Sequence, residues 1–368
     1  MIYTFNPSIS IMTLYMELFK YHKIKIKHSN KVLDIKGDAM SCNSEIVQHR
    51  DKSRDCEDQK FIIFTLDDGY MIFASKQSGK VLGIYKNQQT DETKLVIQDY
   101  SGSNSQRFFL LTDRITWPCL RVKSGNKFLE VIKSNIGDGA AIVQNSYSGK
   151  DNQRFTFVAE DNMPYPILEH LNSDIENSVL NCKSTITKEV LIPYLGIKDS
   201  IPADIQAKTT PYYKISKYQY WKKLYEHHFD GNSHESKKIT YSTGLKPEIN
   251  SKFTDITGIS VMDDYNLQFK GFNNDIRNTI KQCLQVNESS SDKVIDYKTD
   301  SILISYPKGS PCTITEWVRV DRYTIERANG NSIGTFEIVM GNDTVRDYNC
   351  TTNNNHKYQH NNTVSGQV

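Results

Sequence analysis

His227, His228, His234 and Glu235 form the densest cluster of groups in this 368-residue chain that could carry protons or hold a metal. Their spacing suits neither task. Adjacent histidines on a strand point to opposite faces, so His227 and His228 cannot share an ion, and Glu226 to Lys238 reads as a solvated loop. There is no glycine-rich phosphate loop, no zinc-ligand spacing and no nucleophile elbow. Nor is there a legible nucleophile with its base, or a pair of carboxylates set for hydrolysis. The expectation is a protein that is not an enzyme and needs neither cofactor nor metal. What does recur is an amide two residues before an aromatic ring: Gln59-Lys60-Phe61, Gln106-Arg107-Phe108 and Gln153-Arg154-Phe155, each 47 residues from the last.

A period of roughly 20–50 residues marks units that bury their apolar faces only by stacking on one another. A strand-like pair precedes each copy: Lys31 to Asp34 with Ile46 to Gln48, Lys80 to Gly83 with Val96 to Gln98, and Lys127 to Glu130 with Ile142 to Gln144. Three such copies describe a β-trefoil over residues 21–160. The pattern resembles the ricin B-chain type of lectin repeat, with Phe where that family usually has Trp. The resemblance implies a glycan-binding module, in which an acidic residue after the first strand and an amide or acid beside the Gln-x-aromatic motif grip hydroxyls. Such groups make paired hydrogen bonds to neighbouring hydroxyls. Carried over by position, the first repeat offers Asp34, Gln48 and Asp58, and the third offers Glu130, Asn152 and Gln153, with Tyr147 as the stacking ring. The second has Gly83 in place of the acid and is expected to be inactive. The rings of the Gln-x-Phe motifs should fill the threefold core.

The length suits two domains, and the trefoil uses less than half of it. A net charge of +2 gives no basic field for nucleic acid. No apolar run approaches the roughly 18 residues of a membrane helix, so any action in a bilayer is expected through strands or after a conformational change. The first 20 residues lack a cationic leader and a small-residue cleavage site, and read as a pro-segment or covering strand rather than a signal peptide. Of seven cysteines, only Cys42 and Cys56 lie close enough in sequence to suggest a local bridge, with free buried thiols as the equal alternative.

Past Phe157 the repeat stops, and Met163-Pro164-Tyr165-Pro166 marks a break. Strand patterns follow at Glu189–Pro193, Tyr212–Trp221, Ser301–Ile304 and Trp317–Glu326, and Asn329-Gly330 signals a hairpin. Few stretches keep a helical period, so this half is expected to be all-β with long strands. Lys208-Thr209-Thr210-Pro211-Tyr212-Tyr213, followed by Lys217-Tyr218-Gln219-Tyr220-Trp221, resembles the signature stretch of the Bin-like, toxin-ten group of bacterial insecticidal proteins. Leu191-Ile192-Pro193 and the strand from Trp317 to Ile325 fall where that family has similar segments. The resemblance implies a β-trefoil joined to an aerolysin-type pore-forming domain over residues 165–350, with a polar tail at 351–368. It further implies a parasporal crystal inclusion made during sporulation, then dissolved and clipped in an insect gut, with a mosquito as the expected target. The protein would bind a gut-cell glycan, glycoprotein or glycolipid, oligomerise with its own copies and open a pore in the target membrane. A second toxin component is a further expected partner, and a lectin without pore activity, or the receptor-binding half of a binary toxin, is the alternative.

A pore-lining hairpin needs strands of roughly 9–11 residues with alternating faces. Thr257 to Gly271 reads as the first, with Ile259, Val261, Tyr265, Leu267 and Phe269 on one face. Gly271 to Asp275 reads as the turn, and Ile280, Leu284 and Val286 as the apolar face of the return strand. Gut proteases are expected to clip at Lys20, Lys23 or Lys25 and at Arg346, beside a tail devoid of strand pattern.

Overall fold

A computed structural model describes residues 19–52, 55–66, 68–112, 117–168, 184–261, 267–269, 297–306, 308–309, 311–350 and 357–361. Twelve short strands build the N-terminal half, four to a repeat. The first repeat holds β1 (Lys20–Ile26), β2 (Val32–Ile35), β3 (Ile46–His49) and β4 (Phe61–Thr65). The second holds β5 (Met71–Ser75), β6 (Val81–Ile84), β7 (Thr93–Gln98) and β8 (Phe108–Leu111). The third holds β9 (Cys119–Val122), β10 (Phe128–Val131), β11 (Ile142–Asn145) and β12 (Phe155–Asn162), and β12 pairs with β1 to close the ring. Equivalent residues of the three repeats meet in one core, with Phe61, Phe108 and Phe155 all fully buried among Leu33, Leu82 and Leu129. The apolar periodicity of each repeat is thus explained: no single copy could cover these rings.

The recurring glutamines hold the loops. Gln59, Gln106 and Gln153 each accept a backbone N–H through Oε1, from Lys52, Ser101 and Ser148. Each also donates through Nε2 to a backbone carbonyl, of Arg50, Asp99 and Ser146. A buried amide satisfied on both sides fixes the loop that precedes it.

The C-terminal half comprises β13 (Thr185–Pro193), α1 (Ala203–Thr209), β14 (Tyr212–Phe229), β15 (Glu235–Thr243), α2 (Pro247–Thr257), β16 (Ile259–Val261), β17 (Leu267–Phe269), β18 (Lys298–Tyr306), β19 (Cys312–Glu326), β20 (Ser332–Cys350) and β21 (Lys357–Asn361). An antiparallel sheet runs in the order β13-β14-β19-β20-β21. Its three central strands have 18, 15 and 19 residues, about 50–60 Å at roughly 3.3 Å per residue. The expected hairpin joins β19 to β20, but only Gly330 takes a positive φ there, at 82°. The two halves share one core: Tyr21, Ile62, Phe64 and Val81 of the trefoil lie in the same buried cluster as Ile192, Tyr194, Tyr213 and Ile325.

Several expectations are corrected. The segment from Glu226 to Lys238 is mostly strand, because β14 runs on to Phe229 and β15 begins at Glu235. Thr257 to Gly271 is not one strand. Pro247, at the first turn of α2, starts a helix that Gly258 ends at φ 73°, and β16 then pairs with β17. Ile259 pairs with Phe269 and Val261 with Leu267, so the two ends of the alternating run form a short antiparallel ladder. Tyr265, Ile280, Leu284 and Val286 lie outside the described residues. Part of the tail pairs with the sheet as β21. Lys20, Lys23 and Lys25 belong to β1, where Lys23 is buried against Asp51. Arg346 is held by Glu316 at 2.7 Å within β20. Chain inside a ladder is a poor protease substrate. Cys42 and Cys56 are both free thiols, whereas Cys312 is disulfide-bonded and faces Cys350 across the β19–β20 ladder.

Candidate functional site

The three trefoil repeats differ at the positions read from the sequence. In the first, Asp34 and Asp58 are buried and converge on an internal cation. The Lys52 ammonium lies 3.0 Å from Asp34, also contacts Asp58, and reaches Asp38 at 3.2 Å. Burial alone would lower its pKa; the three carboxylates instead push it up. Gln48 does not face this pocket, because its Nε2 donates to the carbonyls of Asn135 and Gly137 in the third repeat, each at 2.8 Å. In the second repeat a Cβ on Gly83 would lie 2.4 Å from Gln98 Oε1, so an acidic side chain has no room.

The third repeat has an open cavity of about 560 Å³. Glu130 stands in its wall, 8% exposed, with Oε1 accepting from Asn145 at 2.6 Å and Oε2 accepting from Gln153 at 2.9 Å. Each carboxylate oxygen retains a lone pair for a further donor. Asn152 is 4% exposed and donates from Nδ2 to the Val131 carbonyl, while its Oδ1 has no partner. Lys133, Lys150 and Glu92 lie on the same lining. Tyr147, the expected stacking ring, leans on Phe128 with centroids 4.9 Å apart and is not part of the lining. Sequence reasoning missed Asn145, Lys133 and Lys150. Asn145 was discoverable, since it ends the third repeat's strand at the position of His49 and Gln98 in the other two.

A second site is built from strands. β15 and β18 form a two-stranded ribbon apart from the main sheet. Its inner face sets Ile239, Ile302, Ile304 and Tyr306 against Phe229 and Ile314. Its outer face is exposed and almost wholly Ser, Thr and Lys: Ser236, Lys238, Thr240 and Ser242 on one strand, Thr299, Ser301 and Ser305 around Leu303 on the other. The ribbon continues the ladder of β14 and β19. Phe229 faces Cys312, and six residues further along one strand Glu235 faces Tyr306, six residues back on the other. The register therefore passes unchanged through the bend at Gly231 and Gly309, which are joined by a backbone hydrogen bond of 3.0 Å. Past the bend the ribbon lies back over β20, where the Gly244 N–H donates to the Val339 carbonyl at 2.9 Å. Tyr241 OH also donates to the Gly341 carbonyl at 3.2 Å.

His227 and His228 serve this architecture. His227 approaches Glu235 at 3.7 Å across the bend, and His228 Nδ1 lies 3.0 Å from Thr313 Oγ1. Among the described residues no group of three or more His, Cys, Asp and Glu converges as a metal site.

A ricin-type trefoil on a long-stranded β domain defines a class of lectin-linked, toxin-like proteins, and comparison with known proteins agrees at both ends. Residues 17–98 match the family described as ricin-type beta-trefoil lectin domain-like, and residues 185–362 match the family described as insecticidal crystal toxin, P42. The resemblance to the Bin-like, toxin-ten group read from the sequence is thus supported over the C-terminal half. The chain is 26% identical over 174 residues to insecticidal crystal protein Cry35Ab1 of Bacillus thuringiensis, 45% of either chain. It is 23% identical over 299 residues to the binary larvicide subunit BinA of Lysinibacillus sphaericus, 77% of this chain and 78% of that one. In the first of these comparisons the match spans less than half of the relative. The crystal structure of Cry35Ab1 superposes with a TM-score of 0.70 at 18% identity, covering 90% of each chain, and so has the same fold.

Proposed function

We propose that this chain is an insecticidal β-pore-forming toxin whose trefoil anchors it to a target-cell glycan through the third repeat. Its relatives act on insects by name, and a crystal inclusion dissolved in the gut is the source that this kinship favours. The observation that carries the pore reading is the unbroken register between the β14–β19 ladder and the folded-back ribbon. Straightening at Gly231 and Gly309 needs no register shift, so no side chain changes face. It would turn two ladders into one ribbon reaching from Tyr212 to Thr243, about 100 Å at roughly 3.3 Å per residue. The segment between β15 and β18, which holds the hairpin read from the sequence, would be carried outward at its tip. The small polar outer face suits a water-filled lumen, and the uncovered Ile239, Ile302 and Ile304 suit a partner strand or lipid. Closure into a barrel with other copies would pair every backbone group, as a bilayer demands.

A tether tests this directly. A Cβ on Gly341 would lie 3.2 Å from that of Thr243, close to the roughly 3.5–4.5 Å of a disulfide. The Thr243→Cys/Gly341→Cys variant should release no dye from target-lipid vesicles when oxidised and regain release on reduction. Equal release in both states would reject ribbon opening.

A further inference from the structure

We propose that Glu92, which reaches the third-repeat cavity from the second repeat, contacts a second sugar unit, so that the site takes an oligosaccharide rather than a single sugar. The proposal rests on the glycan-binding reading of the trefoil and adds to it the size of the ligand and a residue that selects for it.

Three observations converge. The first is that the cavity is built across a junction. Glu130, Asn145 and Asn152 belong to the third repeat, whereas Asp91 and Glu92 come from the loop before β7 of the second. That loop is pinned. Gln144 Nε2 donates to the carbonyls of Gln88 and Thr90, each at 2.9 Å. Asp91 accepts from Lys127 at 2.6 Å and from the Ser146 N–H at 3.0 Å. The Glu92 N–H donates to Asn145 Oδ1 at 2.8 Å, and Asn145 in turn holds Glu130. One amide thus ties Glu92 to the carboxylate across the cavity wall.

The second observation is what remains for a ligand. Asp91 is spent on the junction, but the Glu92 carboxylate is exposed and has neither ion pair nor hydrogen bond among the described residues. An ionised carboxylate only accepts, and its two oxygens can take neighbouring hydroxyls. Glu130 and Asn152 Oδ1 already supply acceptors for one sugar. The cavity, of about 560 Å³, has room beyond one pyranose and falls inside the roughly 300–1,000 Å³ of sites for drug-sized ligands. The remaining charges of the lining cancel, Glu92 and Glu130 against Lys133 and Lys150. Selection is therefore by the arrangement of hydroxyls, not by net charge.

The third observation is the backbone. Asn43, Glu92 and Gly139 stand three residues before Ile46, Leu95 and Ile142, which pair with Ile35, Ile84 and Val131 in the three repeats. Their φ angles are 67°, 57° and 81°, and each donates its N–H to the next repeat, at the carbonyls of Ile97, Gln144 and Gln48. Asn and Gly suit that left-handed turn, and a glutamate does not. The turn alone leaves the Glu92 side chain unexplained. Residues held in such a conformation against their own preference cluster at ligand sites.

The test probes an array of mono- to tetrasaccharides with the full chain, then measures the best single sugar and its best extended form by calorimetry. The extended glycan should bind about tenfold more tightly, as one added hydrogen-bonding contact to a charged group allows. Glu92→Gly keeps the backbone hydrogen bonds and relieves the left-handed angle. It should erase that gain while the unfolding midpoint does not fall. Glu92→Gln retains one acceptor oxygen and should keep part of the gain. An extended glycan that binds no better than the single sugar overturns the proposal and leaves the lectin reading standing. So does a gain that survives Glu92→Gly, or a loss shared equally by both ligands, since Glu92 would then act only through Asn145 and Glu130. An array without signal overturns both.

Discussion

Asp199 shows how much one carboxylate can organise. It lies ahead of α1 and accepts two hydrogen bonds from Arg327, at 2.9 and 2.6 Å, so that the turn after β19 is tied to the segment between β13 and β14. Tyr213 donates to it as well. Burial would raise its pKa, but the guanidinium and the phenol outweigh burial and hold it well below the usual carboxylate range. A carboxyl with a depressed folded pKa contributes its stability in full above its unfolded value, near pH 4, and loses it as the pH falls from there toward the folded value. Asp199→Asn should therefore cost about 2–4 kcal/mol at neutral pH. The gap to the parent should shrink once the pH drops below about 4. Urea unfolding of both proteins across that range reads the difference, and a gap that is constant with pH would mean that the charge is not what holds the turn.

At the scale of elements, the bend between ladder and ribbon controls the proposed transition. Gly231 sits at φ 76°, a conformation that costs a residue with a Cβ roughly 1–2 kcal/mol. A straight ladder needs no such angle. Gly231→Ala should destabilise the folded-back state selectively, so that vesicles are permeabilised faster and at lower toxin concentration. Release no faster than that of the parent would show that the bend is not the barrier. This element also shows what the sequence could and could not reveal. The trefoil was legible because its 47-residue spacing is a local, repeated signal that survives any tertiary arrangement. Of the ribbon, β18 was legible at Ser301–Ile304, but β15 was not, because the Ser, Thr and Lys of its outer face read as loop until Phe229 and Ile314 supply the surface that orders the ribbon. The site residues divide in the same way. Glu130 and Asn152 followed from position in the repeat, whereas the capture of Asp34 and Asp58 by Lys52 depends on a loop conformation that no spacing encodes.

The whole molecule is less divided than its two sequence signatures suggest. Tyr194 donates from its hydroxyl to the Gly79 carbonyl at 2.6 Å, and Tyr21 donates to that of Ala207 at 2.9 Å, each hydrogen bond crossing from one half to the other. Phe64 sits edge-on to both Tyr194 and Tyr212, and Lys208 pairs with Glu57 at 2.7 Å. A trefoil seated this firmly moves with the main sheet, so the opening motion belongs to the ribbon and the segment it carries rather than to a hinge between domains. The joint should also make unfolding cooperative, and the three tryptophans allow this to be observed. Trp117 reports on the trefoil, and Trp221 and Trp317 on the sheet. A Trp117→Phe variant and a Trp221→Phe/Trp317→Phe variant should therefore give coincident denaturation curves. Gly79 is the place to break the joint: it sits at φ 67°, and an added Cβ would lie 2.2 Å from the Ala203 carbonyl oxygen. Introducing Gly79→Ala into both reporters should cost about 3 kcal/mol and pull the two curves apart, the sheet unfolding before the more symmetric trefoil. If the curves are already separate without that substitution, the shared core does not couple the halves, and an interdomain hinge would have to replace the ribbon bend as the point of opening.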